Sequence, residues 1–103
     1  MGNKQSKINQ INLIINEFEI QLEKDQMYLN TTRFSIDKDY LDKLIKSKQI
    51  LLNIIDSWKI SSPKKKLTII KIVSNDLQKA FDNYTSKFNT LIVQSSQFGI
   101  KTI

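Results

Sequence analysis

The chain has 103 residues, 16 Lys and Arg against 10 Asp and Glu, a formal charge of +6, and no Cys or His. This is one domain's worth of chain. Disulfides, thiol nucleophiles, thiolate or imidazole metal sites and Ser-His-Asp triads are excluded together. With two Gly and one Pro, phosphate-cradling loops of the GxGxxG or GxxxxGK[ST] type are absent. The composition therefore argues against an enzyme and implies no cofactor. Seventeen Ile, fifteen Lys and nine Asn against one Ala are the bias an AT-rich genome imposes. The longest pure apolar runs, such as Leu13-Ile14-Ile15 and Ile50-Leu51-Leu52, are far below the roughly 18 residues of a membrane span. No apolar h-region marks a secretory signal at the N-terminus. The expected location is the cytoplasm, partly peripheral at the inner membrane face.

In chain order, Ile8, Ile11, Ile15, Phe18, Leu22 and Leu29 recur at helical spacing and predict a first amphipathic helix at about 7–29, with Ser6 as N-cap. Asn30 to Ser35 read as a loop. Ser35 or Asp37 is the expected cap of a second helix, about 37–60. Its apolar stripe is Tyr40, Leu41, Leu44, Ile45, Leu51, Leu52, Ile55 and Trp58. Trp58, the sole Trp, is expected in the core near the helix end.

Ser61-Ser62-Pro63 punctuates the chain. Pro is favoured at N1 behind a Ser cap, so a third helix begins at 63, with Leu67, Ile70, Val73, Leu77, Ala80 and Phe81 inside and Tyr84 as a candidate extension of that face. Asp82-Asn83 weakens the helical pattern. The expected layout breaks there and starts a short fourth helix at 85–98, capped by Thr85. One unbroken helix over 63–98 would be about 54 Å long, longer than two neighbours of about 23 residues each. Gly99 is the expected residue just past the last helix, followed by a tail. The predicted fold is all-α, a single-domain antiparallel bundle of four helices at about 7–29, 37–60, 63–82 and 85–98.

Charge is uneven along this layout. Residues 1–29 sum to −1, residues 30–60 to +2 and residues 61–103 to +5. Lys64, Lys65 and Lys66 occupy the first turn of a helix, where cations oppose the macrodipole. Local stability does not explain that placement; contact with phospholipid head groups, an acidic partner or nucleic acid does. Nucleic acid is the weaker partner, because the chain has one Arg and Arg carries most bidentate recognition. A small basic nucleic-acid-binding regulator is therefore the third reading. Met1-Gly2-Asn3-Lys4-Gln5-Ser6 matches M-G-x-x-x-[ST], making Gly2 a candidate for N-myristoylation. The corresponding reading is a eukaryotic helical adaptor at a membrane surface. Asp37/Asp39 and Glu17/Glu19 are spaced i, i+2 and diverge on a helix, so they form no catalytic pair.

Three stretches resemble one family. Ile14-Ile15-Asn16-Glu17-Phe18 with Leu22, Tyr40-Leu41-Asp42-Lys43-Leu44-Ile45 with Leu51-Leu52, and Asp76-Leu77-Gln78-Lys79-Ala80-Phe81 after Pro63 are similar to the helices of immunity proteins against pediocin-like (class IIa) bacteriocins, of the enterocin A immunity type. The register spans about 8–98. The Gly-containing loop many members have before the last helix is replaced here by Asp82-Asn83-Tyr84-Thr85. The resemblance implies a cytosolic four-helix bundle without enzymatic activity. It would bind a bacteriocin-engaged membrane sugar permease of the mannose phosphotransferase type. It also implies that the C-terminal region recognises that partner. With the lysine cluster, the expected partner-binding residues are Lys64, Lys65, Lys66, Phe98, Gly99, Ile100 and Lys101.

Overall fold

The structure is a computed structural model that describes the backbone of residues 2–31 and 37–101 and the side chains of residues 5–31 and 37–94. It contains three helices, α1 (Gly2–Thr31), α2 (Lys38–Ile60) and α3 (Pro63–Lys101), and no strand among the described residues. They run up, down and up in a rod of 60 × 20 × 17 Å. Phe18 of α1 meets Phe81 of α3, and Tyr28 meets Phe88, so α1 and α3 are parallel. Trp58 of α2 lies against Lys66 of α3, so α2 runs against both.

The expected four-helix bundle is corrected to three helices, because the break at 82–85 does not occur. Tyr84 is buried, and Val73, Leu77, Ala80, Tyr84 and Leu91 form one buried stripe straight through that segment. Asp82 and Asn83 point to solvent. They take i, i+4 hydrogen bonds, from Gln78 Nε2 to Asp82 Oδ1 (2.9 Å) and from Lys87 Nζ to Asn83 Oδ1 (2.7 Å). Their low helix propensity costs a few tenths of a kcal/mol each, which the buried stripe outweighs. The length objection also fails. α1 has 30 residues and α3 has 39, about 45 and 58 Å, so α1 and α3 lie side by side along most of the rod.

Two smaller expectations change with it. Ser6 lies inside α1, not at its cap, since no breaker follows Gly2. Gly99 lies within α3 and is not a terminating residue. Other boundaries follow the sequence. Asp37 caps α2, its Oδ1 accepting from the amides of Asp39 (2.9 Å) and Tyr40 (3.3 Å). The alternative cap Ser35 and most of the loop before it lie outside the described residues. Ser62 caps α3 ahead of Pro63, accepting from the Lys65 amide at 3.2 Å.

The core is the set of facing stripes: Ile8, Ile11, Ile15, Phe18 and Leu22 from α1; Leu44, Leu51, Ile55 and Trp58 from α2; and the α3 stripe given above. α2 and α3 are the most closely packed pair. The small residues Ser47 and Ala80 sit on their buried faces. Ser47 satisfies its hydroxyl by donating to the Leu44 carbonyl at 2.7 Å. Trp58 is in the core as expected, 1 % exposed, and its indole N–H donates to Asn12 Oδ1 at 2.9 Å. α1 is less one-sided than the other helices. Leu13, Ile20 and Met27, seven residues apart, are exposed on it, roughly opposite the buried stripe at 100° per residue.

One buried polar cluster ties α1 to α3. The Tyr84 hydroxyl donates to Asp25 Oδ2 at 2.7 Å, and Gln21 Nε2 donates to Asp25 Oδ1 at 2.8 Å. Asp25 is the residue that interrupts the apolar stripe of α1 in the sequence. Burial, reinforced by the hydrogen bond to Asp25 and its charge, pushes the Tyr84 hydroxyl well above the usual phenol range. Beside it Phe18 and Phe81 stack at 3.9 Å between ring centroids.

Candidate functional site: a basic pole

The up-down-up topology brings the starts of α1 and α3 and the end of α2 to one pole. The two-residue turn Ser61-Ser62 joins α2 to α3 there. Within α1 to Asn16, α2 from Ile50 and α3 to Asn75, the sequence holds Lys4, Lys7, Lys59, Lys64, Lys65, Lys66 and Lys71 against Asp56 alone. The rest of the chain holds nine cations and nine carboxylates, which cancel. Glu19, just past that bound in α1, reaches Lys59 and belongs with the pole as well, so seven lysines face two carboxylates there and most of the excess of +6 belongs to one end of the rod. Neither α1 nor α3 has an acidic residue in its first turn, so two positive helix-dipole ends open there against one negative end.

The lysines at this pole are not equivalent. Lys59 is engaged by Glu19, Nζ to Oε2 at 2.7 Å. Lys64, Lys65 and Lys66 are consecutive on a helix, so their side chains leave it about 100° apart. They splay and do not form one patch. Lys66 is half-buried with its Nζ 5.5 Å from the Trp58 ring centroid, a cation–π contact. Lys64 and Lys65 are exposed and make no ion pair among the described residues. Ile60, at the tip beside the turn, is 86 % exposed.

Sequence reasoning missed Lys71 and Leu67 as site residues. Lys71 follows Lys64 by seven, two turns on, and so shares its face; that spacing was the available signal. On that side α1 and α3 form an open groove with Lys7, Gln10 and Ile11 on one wall and Leu67, Thr68, Ile70, Lys71 and Ser74 on the other. It consists of two adjoining concavities of about 210 and 480 Å³ that share Lys7, Ile70 and Lys71. No carboxylate lines either.

The remaining expected residues fall elsewhere. Phe98, Gly99, Ile100 and Lys101 are in the last turns of α3, at the opposite end from the lysine cluster, and their side chains lie outside the described residues. The lysines and the C-terminal region are thus not brought together. Gly2 begins α1, at the basic pole. Among the described residues no helix is long and apolar enough to cross a membrane, and no cluster of three acidic side chains offers a metal site. Compared with known proteins, the chain matches no family model, no curated protein and no solved structure.

Proposed function

We propose that this protein is a non-enzymatic helical bundle that docks, pole first, on the anionic cytosolic face of a membrane. One observation carries the reading: seven lysines against Asp56 and the Glu19 paired with Lys59, gathered at one end of a rod whose other end is nearly balanced. The exposed Ile60 at the tip and Leu67, one turn into α3, add apolar contact between the cations. Each lysine near an anionic surface contributes about 1 kcal/mol, so a handful suffices for reversible attachment.

Co-sedimentation with phosphatidylcholine vesicles, with and without phosphatidylglycerol, tests this. Binding that requires the anionic lipid, weakens with salt and drops tenfold or more in the Lys64→Glu/Lys65→Glu variant is the expected result. Equal binding to neutral vesicles, or none to anionic ones, overturns it.

Within that reading the resemblance to pediocin-like immunity proteins supplies a narrower proposal. The docked bundle would engage a mannose-type sugar permease seized by a bacteriocin. Its support is the apolar spacing of three stretches; the four helices typical of that family are not the arrangement this chain adopts. Expression in a bacteriocin-sensitive strain should confer resistance, and the absence of protection against every pediocin-like peptide counts against it. The position of Gly2 at the basic pole supports a second form of attachment, N-myristoylation, in which the acyl chain and the lysines face the same surface. Intact mass after co-expression with a myristoyltransferase, compared with Gly2→Ala, tests it.

A further inference from the structure

We propose that the groove between the starts of α1 and α3 is a binding site for a lipid phosphate, with Lys7 and Lys71 closing on the anion from opposite walls. The proposal rests on the membrane reading and names where on the pole a headgroup sits.

Four observations carry it. First, the two lysines, more than sixty residues apart in sequence, come from different helices and line the same concavities. Neither makes an ion pair among the described residues. Secondly, each wall repeats one pattern. Lys7 is followed three residues later by Gln10, and Lys71 three residues later by Ser74, and all four line the groove. Spacing of i, i+3 places a neutral hydrogen-bonding group beside each ammonium, a set that can cradle phosphate oxygens. Thirdly, Ile11, Ile70 and Leu67 supply an apolar lining, and Leu67 keeps 37 % of its surface exposed. That combination of charged rim and greasy lining suits an acylated phosphate. Fourthly, none of the lining residues is aromatic or Arg. A nucleotide or single-stranded nucleic acid would need a stacking platform for its bases, and the groove has none. The chemistry shared by a phospholipid and a free phosphate ester is the anion; the apolar lining selects the lipid.

The test compares charge-matched variants at high salt, about 0.3 M, where the Debye length falls to roughly 6 Å and the diffuse field of the pole is screened. Wild type, Lys7→Gln/Lys71→Gln and Lys64→Gln/Lys65→Gln are titrated with phosphatidylglycerol vesicles. Both pairs remove two charges, and the second pair lies nearer the tip. A tenfold or larger loss for the groove pair against threefold or less for the tip pair is expected. Equal losses, or a larger one at the tip, overturn the groove while leaving membrane docking intact. No vesicle binding by wild type at low salt overturns docking itself. An amide NMR titration of the wild type with dihexanoyl phosphatidylglycerol gives a readout independent of any variant. Shifts should concentrate in residues 7–11 and 67–74, and shifts spread around the pole count against the groove. A parallel titration with glycerol phosphate separates the sources. Weaker binding at the same amides is expected, and equal affinity would mean that the apolar lining contributes nothing and the ligand is a soluble phosphate.

Discussion

The half of the bundle that carries the α2–α3 turn and the half that carries the connection from α1 to α2 are built differently. The first has an aliphatic core (Ile8, Ile11, Ile15, Ile55 and Val73) closed by Trp58, and it bears most of the net charge. The second is nearly balanced in charge outside, yet it holds the aromatic cluster of Phe18, Tyr28, Phe81, Tyr84 and Phe88 and the buried Asp25–Tyr84 contact. The separation has a physical consequence. Like charges crowded at one end repel, by amounts that salt screens. Placing the aromatic cluster and the Asp25–Tyr84 contact at the other end leaves the lysines free of structural duties, apart from Lys66 over Trp58 and Lys59 paired with Glu19. One end can then serve a partner while the other fixes helix register.

Substitutions in each half should separate the two roles, and the largest effect is expected in the core of the basic half. Trp58→Ala removes a fully buried ring and its hydrogen bond to Asn12, for a loss of about 3–5 kcal/mol; chemical denaturation measures it. Next comes Ser86→Pro, at an exposed site in the balanced half. In an unbroken α3 it removes an interior hydrogen bond and costs about 3 kcal/mol or more. Had a new helix started behind a Thr85 cap, Pro at that first helical position would be tolerated, so a neutral result would restore the break.

Tyr84→Phe leaves one oxygen of buried Asp25 without its donor and should cost about 1–3 kcal/mol. It also has a pH signature. The folded state holds the Tyr84 proton more tightly than the unfolded chain. The stability this contributes is complete below the ordinary phenol value of about 10 and is lost as pH rises beyond it. The alkaline fall in melting temperature should therefore be steeper in wild type than in Tyr84→Phe; parallel curves would deny the linkage. Smallest of all, Lys64→Gln/Lys65→Gln should change stability by no more than about 0.5 kcal/mol. A clear gain would show that the crowding of charge at the pole strains the fold.

Much of this was legible in the residues. The capped start of α2, the Ser62-Pro63 start and the inward position of Trp58 each follow from chemistry local to a turn or a stripe. The misjudged stretch, 82–85, was a contest between local and distant terms. Asp82 and Asn83 speak against a helix by a few tenths of a kcal/mol, while Tyr84 speaks for it only once α1 brings Asp25 alongside, and Leu91 only once the assembled bundle buries it. Asp25 is a similar case. It reads as a flaw in the α1 stripe until Tyr84, 59 residues away, supplies the hydroxyl that accounts for it.

The helical class, most of the inward faces (Ile45 and Leu67, expected inside, are exposed) and the starts of α2 and α3 were set by the sequence, because helical period and capping act within a few residues; the choice of Asp37 over Ser35 as the α2 cap was not. Tertiary structure alone decided the number of helices and the place of the charge. The residue-by-residue count puts the excess in 61–103, but residues 76–103 carry only three lysines against Asp76 and Asp82. Folding instead joins Lys4, Lys7 and Lys59 to Lys64–Lys71 at one pole. A charge acts through space over about a Debye length, so which lysines act together depends on helix direction, and direction is a property of the assembled bundle.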